Sequence, residues 1–194
     1  MRDPGPKPMA PLYDGVPEER VDVTAAEGGI FRVSLEGSFP AGWAGSLSLG
    51  LAKANIGILS GVARKVGPRS WSTSLLVRPQ AASADPRRVD YLGLARRRQP
   101  LGSAAPIDLE SFAVVPDERT GALLLEVRGA DRVGFLGSLL DRLAGLALFP
   151  EDMTIETEGG LALDRFALKA LGGQTPSAEA HQALVTLLED LRRA

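Results

Sequence analysis

The feature that most constrains this chain is a six-residue string that occurs twice. The second copy is Gly134-Phe135-Leu136-Gly137-Ser138-Leu139, and the first is Gly42-Trp43-Ala44-Gly45-Ser46-Leu47, at an offset of 92. Glycine, an aromatic residue, glycine, serine and leucine recur in the same order. Self-similarity at a fixed offset indicates a duplicated structural module. The sequence therefore predicts one small fold present twice.

The apolar positions of the strand before each copy are related by the same offset of 92. Phe31, Val33 and Leu35 alternate with polar residues, as expected of a half-buried strand. Their equivalents at the offset of 92 are Leu123, Leu125 and Val127. Strand and glycine string are thus repeated together, which a chance match of a few glycines would not require.

A helix follows each string, and a strand hairpin follows each helix. Leucine spacing predicts core-facing helices, with Ser46, Gly50, Ser138 and Gly145 small enough for close approach of a neighbouring element. Hairpins are predicted over residues 58–66 with 71–77 and over 153–157 with 161–168. A second helix is predicted from Asp85-Pro86 in the first unit and from Thr175-Pro176-Ser177 in the second.

The fold class predicted from these elements is α+β, with two tandem ferredoxin-like units. A strand over residues 109–115 is assigned to the first unit, which then reads βαββαβ, an antiparallel sheet with helices on one face. The second unit reads βαββα and lacks its final strand unless another segment, such as residues 21–24, completes its sheet. Residues 1–19 are predicted to be a poorly ordered, proline-rich lead-in, 20–117 the first unit and 118–194 the second, joined at 116–121.

Composition excludes several classes of function. A hydrophobic content of 44% with 24% charged residues is typical of a folded globular protein. A net charge of −2 provides no general attraction for nucleic acid or acidic lipid, and no apolar run is long enough for a signal peptide or membrane helix. Because the chain has no cysteine, thiolate chemistry and disulfides are absent. We expect a cytoplasmic protein with no membrane partner and no nucleic acid partner.

The remaining reactive side chains do not form an evident catalytic or metal site. His181 is the only histidine and lies on a predicted helix, where a surface or boundary position is expected. Five arginines make another helix basic, which is typical of a solvated face: Arg87, Arg88, Arg96, Arg97 and Arg98. Trp71 is expected in the core or at an interface. Nucleophile, phosphate-loop and dinucleotide motifs are lacking, so we predict no enzyme activity, no metal and no cofactor.

The second copy carries a series of residues found in a known family. Residues 127–136 read Val-Arg-Gly-Ala-Asp-Arg-Val-Gly-Phe-Leu, followed by Ile155-Glu156-Thr157 and Asp164-Arg165-Phe166-Ala167-Leu168. This series resembles ACT domains, and is similar to the C-terminal ACT repeats of bacterial PII uridylyltransferases and to tandem-ACT glycine cleavage repressor proteins. The resemblance covers the chain from about residue 29 onward. Two departures are Val133 in place of the usual proline and residues 38–42 in place of the Asp-Arg-x-Gly loop.

The resemblance implies an amino-acid effector, held near the strand-to-helix loop where two units meet, and pairing into a homodimer. The residues at these positions are Asp131, Arg132, Val133, Gly134 and Phe135 in the second unit, and Ala41, Gly42 and Trp43 in the first. Asp131 would receive the ligand ammonium and Arg132 would assist the carboxylate. Gly134 and Phe135 would offer backbone N–H groups at a helix N-terminus, where anions bind.

Each of these residues also has a structural alternative. Asp131 would then only cap a helix, Gly134 would only relieve crowding, and Phe135 or Trp43 would only fill the core. The leading functional hypothesis is a non-enzymatic regulatory protein that senses an amino acid and acts on a separate partner protein. The alternatives are a ligand-free interaction or dimerisation module and a small enzyme of the same shape. The sequence leaves open whether the units pair within one chain or between chains.

Overall fold

The computed structural model describes residues 18–97 and 106–193. These ranges form eight strands and four α-helices. In chain order they are β1 (Arg20–Ala25), β2 (Phe31–Ser38), α1 (Trp43–Lys53), β3 (Ile56–Lys65), β4 (Ser70–Pro79), α2 (Tyr91–Arg96), β5 (Leu109–Asp117), β6 (Ala122–Ala130), α3 (Phe135–Gly145), β7 (Leu148–Glu158), β8 (Leu161–Ala170) and α4 (Ala178–Arg193). The predicted lead-in, apart from its last two residues, and most of the loop predicted over 102–106 lie outside the described residues.

The repeat in the sequence is also present in the fold. Helices α1 and α3 are both eleven residues long and begin 92 residues apart, and β3 and β7 begin at the same offset. Strands β4 and β8 begin 91 residues apart because the second hairpin is one residue shorter. The predicted α+β class, the antiparallel strand pairing and both hairpins are confirmed.

All eight strands form one antiparallel sheet in the order β1-β2-β4-β3-β7-β8-β6-β5. The two halves of the chain meet where β3 pairs with β7, over Ser60–Arg64 and Asp152–Glu156. We call this pairing, together with the contact between α1 and α3 that covers it, the seam. The two halves therefore pair within one chain, and their sheets are continuous.

The outer strand of each half comes before its glycine string and not after it. Strand β5 was predicted to complete the first unit, but it pairs with β6 in the second half. Strand β1 pairs with β2, so the suggestion that residues 21–24 complete the second sheet is also wrong. Each half thus reads ββαββα, and the second half has a fourth strand.

Short connections explain this arrangement. Strand β5 runs into β6 through a tight turn in which the Asp117 carbonyl accepts the Gly121 N–H at 2.7 Å, and Gly121 adopts a positive φ of 66°. Closing such a turn costs less chain entropy than returning β5 to the distant first half. The predicted joint at residues 116–121 is this turn, and the division predicted between 117 and 118 falls inside the hairpin.

Helix α2 begins later than predicted. The Asp85 carboxylate accepts the Arg87 N–H at 3.0 Å, but the turn it caps, Pro86–Arg88, is a single 3₁₀ turn. Extended backbone at Val89 ends that turn. The helix then starts at Tyr91, capped by Asp90, whose carboxylate accepts the Gly93 N–H at 2.9 Å.

The core lies between the sheet and the helices. Buried residues from strands β2 to β8 and from the four helices join one apolar cluster, because alternate strand residues face the same side, and the partly buried Val21 and Val23 of β1 pack against it. The exposed side chains on the opposite face include an ion-pair row in which Arg165 contacts Glu126 and Glu156 at 2.8 and 3.5 Å. His181 is half-buried on α4, the boundary position expected from sequence. None of the described helices is both long and apolar enough to span a bilayer.

The helix contact at the seam depends on the second glycine of each string. A Cβ at Gly137 would lie 2.8 Å from the backbone nitrogen of Leu49 on α1, and a Cβ at Gly45 would lie 3.3 Å from Leu140 Cβ on α3. These glycines are equivalent at the offset of 92. Of the small residues predicted to allow close approach, Gly50 contacts Leu94 of α2, whereas Gly145 has open space around it.

Candidate functional site

Each glycine string opens a helix at a sharp corner. Gly42 and Gly134 precede α1 and α3 in the left-handed conformation, with φ of 81° and 94°. Glycine adopts this conformation without steric cost, which explains its presence at both corners. No side chain caps either helix. Asp131 therefore is not the N-cap that the structural alternative required.

The aromatic residue after each corner glycine is part of the core. Trp43 and Phe135 are buried, and their backbone N–H groups donate within the corner turns to the carbonyls of Pro40 and Arg132, at 3.2 and 2.9 Å. The Phe135 N–H, predicted to face a ligand, therefore already has an intramolecular acceptor. Helix N-termini remain positively polarised, so the uncapped first turns still favour an anion.

Two cavities lie beside the corners, and together they contain every predicted site residue. Ala41, Gly42 and Trp43 line the first cavity, of about 600 Å³. The second cavity, of about 230 Å³, is lined by the five predicted residues Asp131, Arg132, Val133, Gly134 and Phe135. The structure thus brings each predicted set together and separates the two sets from each other.

Both cavities lie at the seam, with walls from each half of the chain. The first corner faces Phe149 of β7, whose ring would be 3.9 Å from a Cβ at Gly42. The second corner faces α1, where Ala52 Cβ would be 3.7 Å from a Cβ at Gly134, and β3. Because β3 and β7 run antiparallel side by side, each half closes the cavity of the other.

The first cavity is aromatic, with cations among its lining residues. Trp43 lies between Phe39 and Trp71, with ring centroids 5.1 and 5.2 Å away. This confirms the expected core or interface position of Trp71. Its charged lining residues are Lys65, Arg69, Glu151 and Lys169. Lys65 is ion-paired with Glu151 across the seam, so the lining carries an excess of positive charge.

The second cavity is acidic and contains Asp164, which belongs to the series that resembles ACT domains but was not among the predicted site residues. Asp164 on β8 is 1% exposed, and neither carboxylate oxygen has a hydrogen-bond partner in the described chain. Burial, with smaller contributions from the charges of Asp131 and Glu156, raises the pKa of Asp164 to about 7. The Glu156 backbone N–H opposes this rise, but its geometry falls short of a hydrogen bond.

A signal for Asp164 was present in the sequence. Strand β8 alternates, and the positions that share a face with Asp164 are the buried residues Ala162, Phe166 and Leu168. A carboxylate at a buried position of a strand requires a partner or a function. The alternation of buried and exposed positions along β8 would therefore have been enough to add Asp164 to the candidate residues.

The exposed charges of the second corner are partly satisfied within the chain. Arg132 lies 3.6 Å from the Asp108 carboxylate, and both side chains are about two-thirds exposed. An exposed pair of this kind contributes about 1 kcal/mol or less. Arg132 can therefore leave Asp108 for a ligand carboxylate at small cost, but the two interactions compete.

Comparison with known proteins does not assign a family. No family model matches the chain, and no curated protein matches it. The crystal structure of aspartate kinase from Synechocystis is similar, with a TM-score of 0.49 and 18% identity. The match covers 84% of this chain and 27% of that one. A likeness at this level carries no functional argument.

Proposed function

We propose that this chain is a non-enzymatic regulatory protein of two ACT-like units that binds an amino acid or similar small effector where the units meet. The observation that carries the proposal is that both glycine corners line cavities at the seam. We further propose that it acts on a partner protein in the cytoplasm. Homodimerisation remains a prediction from the resemblance.

The second cavity has the chemistry that a free amino acid requires. The uncapped N-terminus of α3 suits a carboxylate, and Asp131 suits an ammonium group. At about 230 Å³ the cavity is below the roughly 300 to 1,000 Å³ typical of sites for drug-sized ligands. This size favours a compact ligand.

Binding at the seam also provides a route to regulation. A ligand that contacts both halves favours the arrangement in which the seam is closed, since its contacts are lost when the halves separate. That differential affinity is the requirement for coupling ligand binding to a partner elsewhere on the surface. Ligand binding at the seam would thus change the rigidity or the spacing of the two halves, and a partner protein could respond to that change.

A thermal-shift screen of the full chain against the twenty amino acids tests this proposal. We expect saturable stabilisation by at least one of them, because a ligand that binds only the native state raises its stability. Stabilisation should be lost in Gly134→Val and Asp131→Ala. It should persist in Gly159→Val, a matched control that also replaces a glycine of positive φ but lies outside both cavities.

Tryptophan emission shows which cavity the ligand occupies. The chain has two tryptophans, Trp43 and Trp71, and both line the first cavity. A ligand in the second cavity should leave their emission unchanged, whereas a ligand in the first should alter it. A flat thermal screen with folded protein would contradict the sensing proposal.

A ligand-free interaction module is the second candidate. The observation that favours it is that corner groups already have partners within the chain. The Trp43 and Phe135 N–H groups donate to carbonyls, Arg132 pairs with Asp108, and Lys65 pairs with Glu151. In this case the seam would be purely structural, and no amino acid in the screen would stabilise the chain.

A further inference from the structure

Asp164 is in a position where a carboxylate without a partner is costly. It lies on β8 between Val127 of β6 and Ile155 of β7, both buried apolar residues. Its side chain is 1% exposed, and both carboxylate oxygens lack a partner in the described residues. Burying an unpaired carboxylate costs several kcal/mol. A purely structural position of this kind would favour an apolar side chain.

The equivalent position in the first half shows that the fold does not require an acid. Thr73 occupies it on β4, between Leu35 and Ala63, which are the counterparts of Val127 and Ile155. The second carboxylate of the cavity is also specific to the second half, since Phe39 stands at the position of Asp131. The two acids therefore occur together in one half and are both absent from the other.

The charges around the second cavity favour a cation. Asp131 lines it from the corner before α3 and Asp164 lines it from β8, whereas Glu156 of β7 lies outside the lining and pairs with Arg165 at 3.5 Å. The cation in the lining is Arg132, which pairs with Asp108. From α1 and β3 the lining residues carry no titratable group. A positively charged group entering the cavity would therefore meet two carboxylates.

We infer that Asp164 and Asp131 form an ammonium-binding subsite in the second cavity, so that this cavity takes compact ligands with a primary ammonium group. The inference deepens the proposed function and rests on it only for the claim that the ligand is an amino acid. The ligand carboxylate, where one is present, would lie toward the N-terminus of α3. The first cavity, with Thr73 and Phe39 at the equivalent positions, has no such subsite.

Ligand binding at this subsite should release a proton. Near neutral pH the buried carboxyl of Asp164 holds a proton in part of the molecules, since its pKa is raised to about 7. An ammonium group beside it favours the charged form and lowers that pKa. The proton passes from the carboxyl group to solvent, while the ligand remains an ammonium. Affinity should therefore rise between pH 6 and pH 8.

The test uses two probes on the full chain, methylammonium chloride and the twenty amino acids. The pKa of Asp164 is followed by carbon NMR of aspartate-labelled protein, with the signal assigned from its loss in Asp164→Asn. Sodium chloride at the same ionic strength is the control titration. We expect methylammonium to lower the Asp164 pKa in the native chain and in Asp152→Asn, which removes an exposed carboxylate of β7 outside the cavity.

Amino-acid affinity provides the second measurement, by calorimetry at pH 6 and pH 8. Asp164→Asn should weaken binding about tenfold or more, since hydrogen bonds to charged groups contribute about 1.5 to 3 kcal/mol. Asp152→Asn should bind like the native chain. Asp131→Asn, at an exposed position, should also weaken binding, and it keeps the test valid if Asp164→Asn does not fold.

The outcomes separate this inference from the proposed function. An amino acid that binds the native chain and Asp164→Asn equally would overturn the subsite and leave the proposed function intact. Methylammonium that lowers the Asp164 pKa while no amino acid binds would support the subsite and contradict the proposed function. If neither probe changes the titration of Asp164, there is no ammonium subsite.

Discussion

The two corners share a backbone and differ in chemistry. Both have a left-handed glycine, an uncapped helix and a wall supplied by the other half. Around Gly42 the environment is aromatic, with Trp43 between two other rings, whereas around Gly134 it is acidic. The two halves thus share the geometry of the corner, while the side chains that line their cavities differ in charge and in aromatic content. The backbone geometry of a corner therefore does not fix the chemistry of the cavity beside it.

The largest expected difference between the corners is in the pH dependence of stability. Burial raises the pKa of Asp164 from its ordinary 3.8 to about 7, so the folded chain binds more protons than the unfolded chain between these values. The resulting stability is fully present below about pH 4 and is lost as pH rises to about 7. The loss is on the order of 4 kcal/mol, since each unit of pKa difference corresponds to about 1.4 kcal/mol. Urea unfolding from pH 4 to pH 8 measures it.

Two variants, one in each half, compare the contributions of the two equivalent positions to this pH dependence. Asp164→Asn should flatten the profile over that range and be more stable than the native chain at pH 8. Thr73→Val, at the equivalent position of the first half, should leave the profile unchanged. A slope that survives in Asp164→Asn would show that another group is responsible.

The second prediction concerns the glycines where the helices cross. Gly137→Ala should lower the free energy of unfolding by about 2 kcal/mol, because the new Cβ would lie 2.8 Å from the backbone nitrogen of Leu49. Gly45→Ala should change it by less than about 1 kcal/mol, since its neighbour is a side chain at 3.3 Å and alanine favours the helix.

The control for this pair is Gly145→Ala, at the open end of α3. Nothing lies within 4 Å of a Cβ there, so helix propensity alone should stabilise the chain by about 1 kcal/mol. Chemical denaturation ranks the three variants. An equal loss at Gly45 and Gly137 would mean that the helices cross symmetrically.

The smallest expected effect is at the helix ends opposite the corners. Asn55 and Ala147 are equivalent at the offset of 92 and both have a positive φ, of 55° and 56°. Alanine is strained in this conformation, so Ala147→Gly should stabilise the chain by about 1 kcal/mol. Asparagine tolerates it, so Asn55→Gly should have almost no effect. Thermal unfolding compares them, and a larger gain at Asn55 would contradict the strain argument.

Local structure was readable from the sequence because it follows from local patterns. The offset of 92 located the corners, and strand alternation located the faces that are buried. Neighbours in the sheet were harder to predict, since alternation identifies a strand's buried face but not its partner. The offset itself carried the missing information: residues 20–25 map onto 112–117, so the outer strands are equivalent and precede their corners.

The geometry around the candidate site was predictable only in part. The corner residues were found because a glycine between a strand and a helix has a recognisable pattern. The roles of Gly45 and Gly137 could not be predicted, because they depend on how closely two helices approach across the seam. The buried position of Asp164 could be predicted from the alternation along its strand. Its lack of a hydrogen-bond partner could not, because that depends on the folded chain.

The seam also has a consequence for folding kinetics. The residues that β3 and β7 bring together are roughly ninety positions apart in the chain, whereas the four hairpins close locally. Contacts between distant residues form slowly, so we expect the hairpins to form first and the seam to close last. Both cavities exist only after that step. An effector bound in either cavity would therefore leave the folding rate nearly unchanged and lower the unfolding rate.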